Sequence, residues 1–122
     1  MAYNEGTQAV TVEAGSTIVA NRFLVMASDG QVDHAGAQAA ADGISGDAAV
    51  ADQDLPMIIP NGAIASIELG ATLAAGALVA SNASGQAIAH GGTGGDVCMG
   101  RLKSGGPSGE IAELFFSPKT TA

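Results

Sequence analysis

The side chains in this chain that could do acid–base, nucleophilic or metal chemistry are few and badly spaced for it. His34 and His90 are the two histidines and Cys98 is the one cysteine. A zinc centre needs three or four such ligands at close spacing, and only scattered carboxylates accompany these three. The densest acidic patch is Asp47 with Asp52-Gln53-Asp54. It lacks the run of oxygen ligands at fixed intervals that a calcium loop requires, and reads as a solvated acidic loop. An acid–base dyad needs two carboxylates facing each other across a cleft, and nothing in the spacing locates such a pair. Neither Ser45 nor Ser66 sits in a Gly-x-Ser-x-Gly elbow. Gly91-Gly92-Thr93-Gly94-Gly95 is glycine-rich but lacks the Gly-Lys-Ser/Thr ending of a phosphate loop. Cys98, in Asp96-Val97-Cys98-Met99-Gly100, reads as a small buried hydrophobe in a strand, without the base or cationic setting that activates a thiol. The expectation is a protein that is not an enzyme and binds no metal and no cofactor.

Composition narrows the partners. Twelve acidic against four basic residues leave a net charge of −8. Arg22, Arg101, Lys103 and Lys119 are dispersed apart from the Arg101/Lys103 pair, so direct nucleic-acid binding is disfavoured. An anionic membrane surface is disfavoured on the same ground. The opening residues have neither the basic nor the apolar region of a secretory signal, and no apolar run is long enough to span a bilayer. A soluble protein made in the cytosol is expected. At 122 residues the chain reads as one domain. Its apolar residues are largely alanine, and its aromatics are Tyr3, Phe23, Phe115 and Phe116. Small side chains bury little area each, so the core should be thin and association should add to it.

The elements that must carry these residues are strands. Glycine, Asn, Asp and Ser interrupt short apolar runs throughout, the pattern of an all-β domain. Strands are expected at Ala9–Glu13, Arg22–Ala27, Gln31–His34, Gly43–Ser45, Met57–Pro60, Ala63–Leu69, Ala77–Ser81, Gln86–Ala89, Val97–Lys103 and Glu110–Phe116. Asn61-Gly62 reads as a tight hairpin joining the fifth to the sixth, with further turns at Ser28-Asp29-Gly30 and Asn82–Gly85. Ser104–Gly109 and His90–Gly95 read as flexible loops. Ala35–Ala41 reads as a loop holding one helical turn at most. Pro118 should stop the last strand, with Phe115 and Phe116 on opposite faces, one in the core and the other available to a subunit interface.

An internal duplication runs through these elements. Gly15-Ser16-Thr17-Ile18, the strand Arg22–Ala27 and Gly30-Gln31-Val32 recur as Gly70-Ala71-Thr72-Leu73, Ala77–Ser81 and Gly85-Gln86-Ala87. Gly43-Ile44-Ser45-Gly46 then aligns with Val97-Cys98-Met99-Gly100, and His34 and His90 end equivalent strands. Two such β units wrap into one small barrel or sandwich.

Ahead of the first strand lies a polar arm. MAYNEGTQAVTVEAGSTI (1–18), GATLAAGALVASNASGQAI (70–88) and DVCMGRLKSGGPSGEIAELFF (96–116) together resemble the capsid cement, or head decoration, proteins of tailed bacteriophages over nearly the whole chain. These are patterns of small residues rather than a catalytic signature. The resemblance implies an all-β fold, a small β-barrel or β-tulip-like domain with an extended N-terminal arm. The arm would span residues 1–9, the domain 10–118 and a flexible tail 119–122. It further implies a protein of the virion exterior that binds the major capsid protein of the expanded head at threefold or quasi-threefold positions. There it would stabilise the shell against packaged DNA, with itself as second partner in a homotrimer or a dimer. The capsid-binding role falls on Ala2, Tyr3, Asn4, Glu5, Gly6, Thr7 and Gln8. An extended arm of this kind contributes main-chain hydrogen bonds by strand addition, with Tyr3 as its anchor. The alternatives are a small ligand- or carbohydrate-binding β module, which the shortage of Trp and Tyr disfavours, and a small hydrolase, for which no convergent residue set exists.

Overall fold

A computed structural model describes residues 8–37, 39–59, 64–90 and 97–120. Ten strands form in two sheets, and no helix occurs among the described residues. The chain is all-β. The strands are β1 (Gln8–Ala14), β2 (Phe23–Met26), β3 (Gln31–His34), β4 (Gly43–Ser45), β5 (Asp54–Ile59), β6 (Ile64–Glu68), β7 (Leu78–Ser81), β8 (Ala87–Ala89), β9 (Val97–Leu102) and β10 (Ile111–Thr120). The first five close into a barrel in the order β1-β3-β2-β4-β5, and the rest form a sheet in the order β6-β10-β9-β7-β8.

The two sheets are copies of one unit. In the barrel, Phe23 opposes Ile44, Ile44 opposes Ile58, and Glu13 opposes Asp54. In the second sheet, Leu78 opposes Arg101, Arg101 opposes Phe115, and Glu68 opposes Ile111. The parallel contact that closes the barrel, Ala14 with Val32, returns as the bridge between Leu69 and Ala87. The irregular backbone repeats as well. The Gly15 N–H donates to Val32 O and the Gly70 N–H to Ala87 O, at 2.8 and 2.7 Å. Left-handed Asn21 and Asp52 (φ 63° and 70°) have counterparts in Gly76 and Gly109 (φ 85° and 92°). Asp52, in the middle of the acidic patch, therefore has a backbone reason to be there, since Asp tolerates this conformation better than most side chains.

The duplication corrects the expected alignment after β3. Eight residues separate His34 from Gly43, whereas ten separate their equivalents Ala89 and Gly100. Gly43–Gly46 consequently matches Gly100–Lys103, not Val97–Gly100, and His90 matches Ala35, one position past His34. The Asn61-Gly62 hairpin is also overturned. The turn itself lies outside the described residues, but β5 pairs with β1 and β4 while β6 pairs with β10, so the link passes between sheets. Ser104–Gly109 is not a loose loop: Leu73 and Gly106 exchange backbone hydrogen bonds of 3.0 and 2.9 Å, and Gly109 N–H donates to Leu69 O. Pro118 does not stop the last strand. A register shift after Phe116 absorbs it, and Lys119 and Thr120, expected in a tail, pair with Cys98 and Val97. At the other end, Gln8 and Ala9, expected in the arm, pair with Ile59 and Ile58 in β1.

Ala35–Ala41 bridges β3 to β4 across the end of β2, held by Ala35 N–H on Phe23 O and Asp42 N–H on Leu24 O. A turn within it is closed by the 3.3 Å bond from Ala39 N–H to Gly36 O. Buried Ala35 and Ala41 join the core between the sheets, because only small side chains fit under a crossing this tight.

Strand alternation sorts the side chains. Val12, Ala14, Leu24, Val32, Leu55 and Met57 fill the barrel. Their equivalents Ile67, Leu69, Val79, Ala87, Ala112 and Leu114 fill the second unit. This second core also takes in Phe23 and Ile44, which point out of the barrel. Phe23 meets Phe116 with ring centroids 6.0 Å apart and planes inclined at 45°. The outer face of β2, β4 and β5 is thus the seat on which the second unit packs.

Candidate functional site

The residues singled out for chemistry do not converge. His34, at the end of β3, accepts a 3.1 Å hydrogen bond at Nε2 from the Val19 N–H. His90 follows β8 in the other sheet and donates its backbone N–H to Leu78 O. Cys98 is half-buried rather than buried, with Sγ 3.5 Å from Gly100 O. Ser45 is fully buried, and its hydroxyl serves the backbone, donating to Val19 O at 2.6 Å and accepting from Arg22 N–H at 3.0 Å. Among the described residues, no group of three or more His, Cys, Asp or Glu side chains could hold a metal.

His34 responds to pH through its environment. Burial lowers its pKa below the ordinary 6.5, and the nearby Arg22 charge adds to this while Asp33 opposes it. The neutral ring is the one that accepts from Val19. Below about pH 6.5 the unfolded chain takes up a proton that the folded chain resists, so stability should fall as pH drops through that range. Urea unfolding from pH 8 to pH 5 checks this. His34→Gln should flatten the acid limb of the profile.

The acidic side chains are held in place along one rim of the barrel. Gln31 Nε2 donates to Glu13 Oε1 at 2.7 Å and to Asp52 Oδ1 at 2.9 Å. Asp29 accepts from the Gln31 N–H at 2.9 Å, and Ser16 Oγ donates to Asp33 at 2.6 Å. These carboxylates are fixed acceptors on an exposed edge. They suit amide or cationic groups of a partner and repel phosphate.

The Glu–Gln pair recurs in the second unit, where Gln86 Nε2 donates to Glu68 Oε2. There the pair is covered. Arg22 of the barrel reaches Glu68 Oε2 at 3.0 Å and Ser84 O at 3.1 Å, with both charged side chains below 20% exposed. Sequence reasoning passed over this clamp. Its signal was a glutamate two positions before each of Gly15 and Gly70, and a glutamine after each of Gly30 and Gly85. Arg22→Ala leaves the Glu68 charge half-satisfied at the join between units, and about 2 kcal/mol of stability should be lost. A double-mutant cycle with Glu68→Gln checks that the loss belongs to the pair.

The proposed arm residues Ala2, Tyr3, Asn4, Glu5, Gly6 and Thr7 lie outside the described residues. Gln8 begins β1 opposite Ile59, at the end of β5. At Glu13 β1 is paired on both sides, with β5 and β3, so strand addition at that position is closed.

No family model matches the sequence, and no curated protein matches it. The fold has solved counterparts. One is the crystal structure of the head fiber gp8.5 N base of bacteriophage phi29, at a TM-score of 0.76 and 17% identity, with 91% of this chain and 94% of that one covered. At that identity the likeness establishes a shared all-β fold.

Proposed function

We propose that this protein is a non-enzymatic structural component of a bacteriophage head, seated on the outside of the expanded shell as a decoration protein. The observation that carries this reading is the fold shared with the phi29 head fiber base along nearly the full length of both chains. The opening residues, Ala2–Gln8, would contact the major capsid protein; of these, Gln8 pairs with Ile59 in β1. Threefold or quasi-threefold sites are the places where one such molecule clamps several capsid subunits against the pressure of packaged DNA. A rim of hydrogen-bonded carboxylates and a net charge of −8 support a protein partner over DNA.

Mass spectrometry and immunogold labelling of purified virions test this reading. The chain should be present in fixed copy number, with label on the head exterior. Its absence from virions, or label confined to the tail, would refute the assignment. Deleting residues 2–7 while keeping Gln8 should cost the isolated domain less than about 0.5 kcal/mol, because β1 is left whole, yet abolish incorporation.

A further inference from the structure

The duplication leaves two surfaces open whose counterparts inside the chain are already joined. In the barrel, the outward row Phe23–Ile44–Ile58 is covered by the second unit, with Phe23 and Ile44 buried. The same row in the second unit is Leu78–Arg101–Phe115, and it faces outward. Leu78 is 46% exposed and Phe115 42%, with Ile111 also exposed on the same face of β10. These three large apolar side chains share one face of the sheet.

The edge of the surface that does the covering is duplicated too. In the second unit Phe116 packs on Phe23, and beside it the β7–β8 turn and the Glu68–Gln86 pair close the contact: the Phe23 N–H donates to Gly85 O at 2.7 Å, and Arg22 reaches Glu68 and Ser84. The barrel carries the same device as the β2–β3 turn and the Glu13–Gln31 pair. There Glu13 and Gly30 are exposed, whereas their counterparts Glu68 and Gly85 are largely covered. Charge is complementary, since the open row centres on the cation Arg101, one nitrogen of which donates to Gly76 O at 2.9 Å, and the open clamp holds Glu13, Asp29 and Asp52.

We propose that the outward face of β7, β9 and β10, centred on Leu78, Arg101 and Phe115, binds a second copy of this chain head-to-tail, receiving that copy's Glu13–Gln31 edge and β2–β3 turn. The contact would repeat between chains part of the packing that joins the two units within one, with Arg101 as the cation because the counterpart of Arg22 is Ala77. It is heterologous, each copy giving a face and a clamp, so it builds a ring where the rotation closes. This inference stands on the repeat and the charge complementarity and does not depend on the proposed place in a phage head.

Sedimentation velocity of the purified full chain across the micromolar range tests it. The wild-type protein should self-associate, either to one discrete oligomer or to a concentration-dependent series. Phe115→Asp and Leu78→Asp, on different strands and both at exposed positions, should each weaken association at least about tenfold while keeping the wild-type circular dichroism spectrum. Arg101→Glu and Glu13→Arg should each impair self-association, and together in one chain they should restore it with the charges exchanged. A wild-type chain that stays monomeric would overturn the proposal. So would an oligomer that survives folded Phe115→Asp and Leu78→Asp, because its interface would lie elsewhere.

Discussion

Replacing Gly100 with alanine is expected to keep the chain from reaching a stable native state. A Cβ at this position would stand 1.9 Å from Phe115 O, a backbone atom that no side-chain rotation can move. The residue also has φ 141°, which an L side chain rarely adopts. Relief requires β9 and β10 to separate at the middle of their pairing, beside buried Leu114 and Phe116. The expected loss exceeds about 4 kcal/mol, most of the stability of an ordinary small domain. The equivalent glycine of the barrel, Gly43, is crowded by Ile58 O at 2.6 Å and by Met57 Cγ at 2.4 Å. The Met57 side chain can partly yield, so Gly43→Ala should be severe but milder. Gly36, with nothing within 4 Å of a Cβ, should accept alanine within about 0.5 kcal/mol. Urea titration of the three variants checks the order, and soluble yield substitutes where Gly100→Ala does not fold.

Phe23→Ala should lose about 3–5 kcal/mol. The ring is fully buried, yet it sits outside the barrel interior and fills the core between the two units against Phe116. With so many alanines in that core, few side chains nearby are large enough to collapse into the vacancy, which favours the upper end of the range. Phe116→Ala should cost a similar amount. The double mutant should lose less than the two singles together by about 0.5–1.5 kcal/mol, the worth of the ring pair itself. Denaturant unfolding of the four proteins in the cycle measures this coupling.

The local β pattern was legible in the sequence because strand alternation and turn chemistry are local. Gln31–His34 and Gly43–Ser45 were expected to the residue, and the turns at Ser28–Gly30 and Asn82–Gly85 do close hairpins. What was not legible is pairing at a distance. Asn61-Gly62 has ideal hairpin chemistry, yet the strands on either side belong to different sheets, since β5 finds β1 and β4 first. Pro118 looked like a stop, but a bulge on β10 next to β9 lets the ladder resume. The duplication was visible at its glycines and lost its register at a two-residue difference in one loop. That slip hid the equivalence of Gly43 and Gly100, the most constrained glycines of the two units. The acidic residues looked like candidate ligands. Asp52 is a turn residue and an acceptor for Gln31, and Glu68 is the partner of Arg22. The Arg22 contact crosses from one sheet to the other, so nothing in local spacing announces it. The proposed role reaches function only through a partner that the chain must be shown to bind.

Co-sedimentation of the purified full-length protein with undecorated expanded heads of its phage, beside unexpanded proheads, addresses that partner directly. The account predicts saturable binding to expanded heads alone, at a fixed number of copies per head. Correctly folded protein that pellets with neither particle would contradict it.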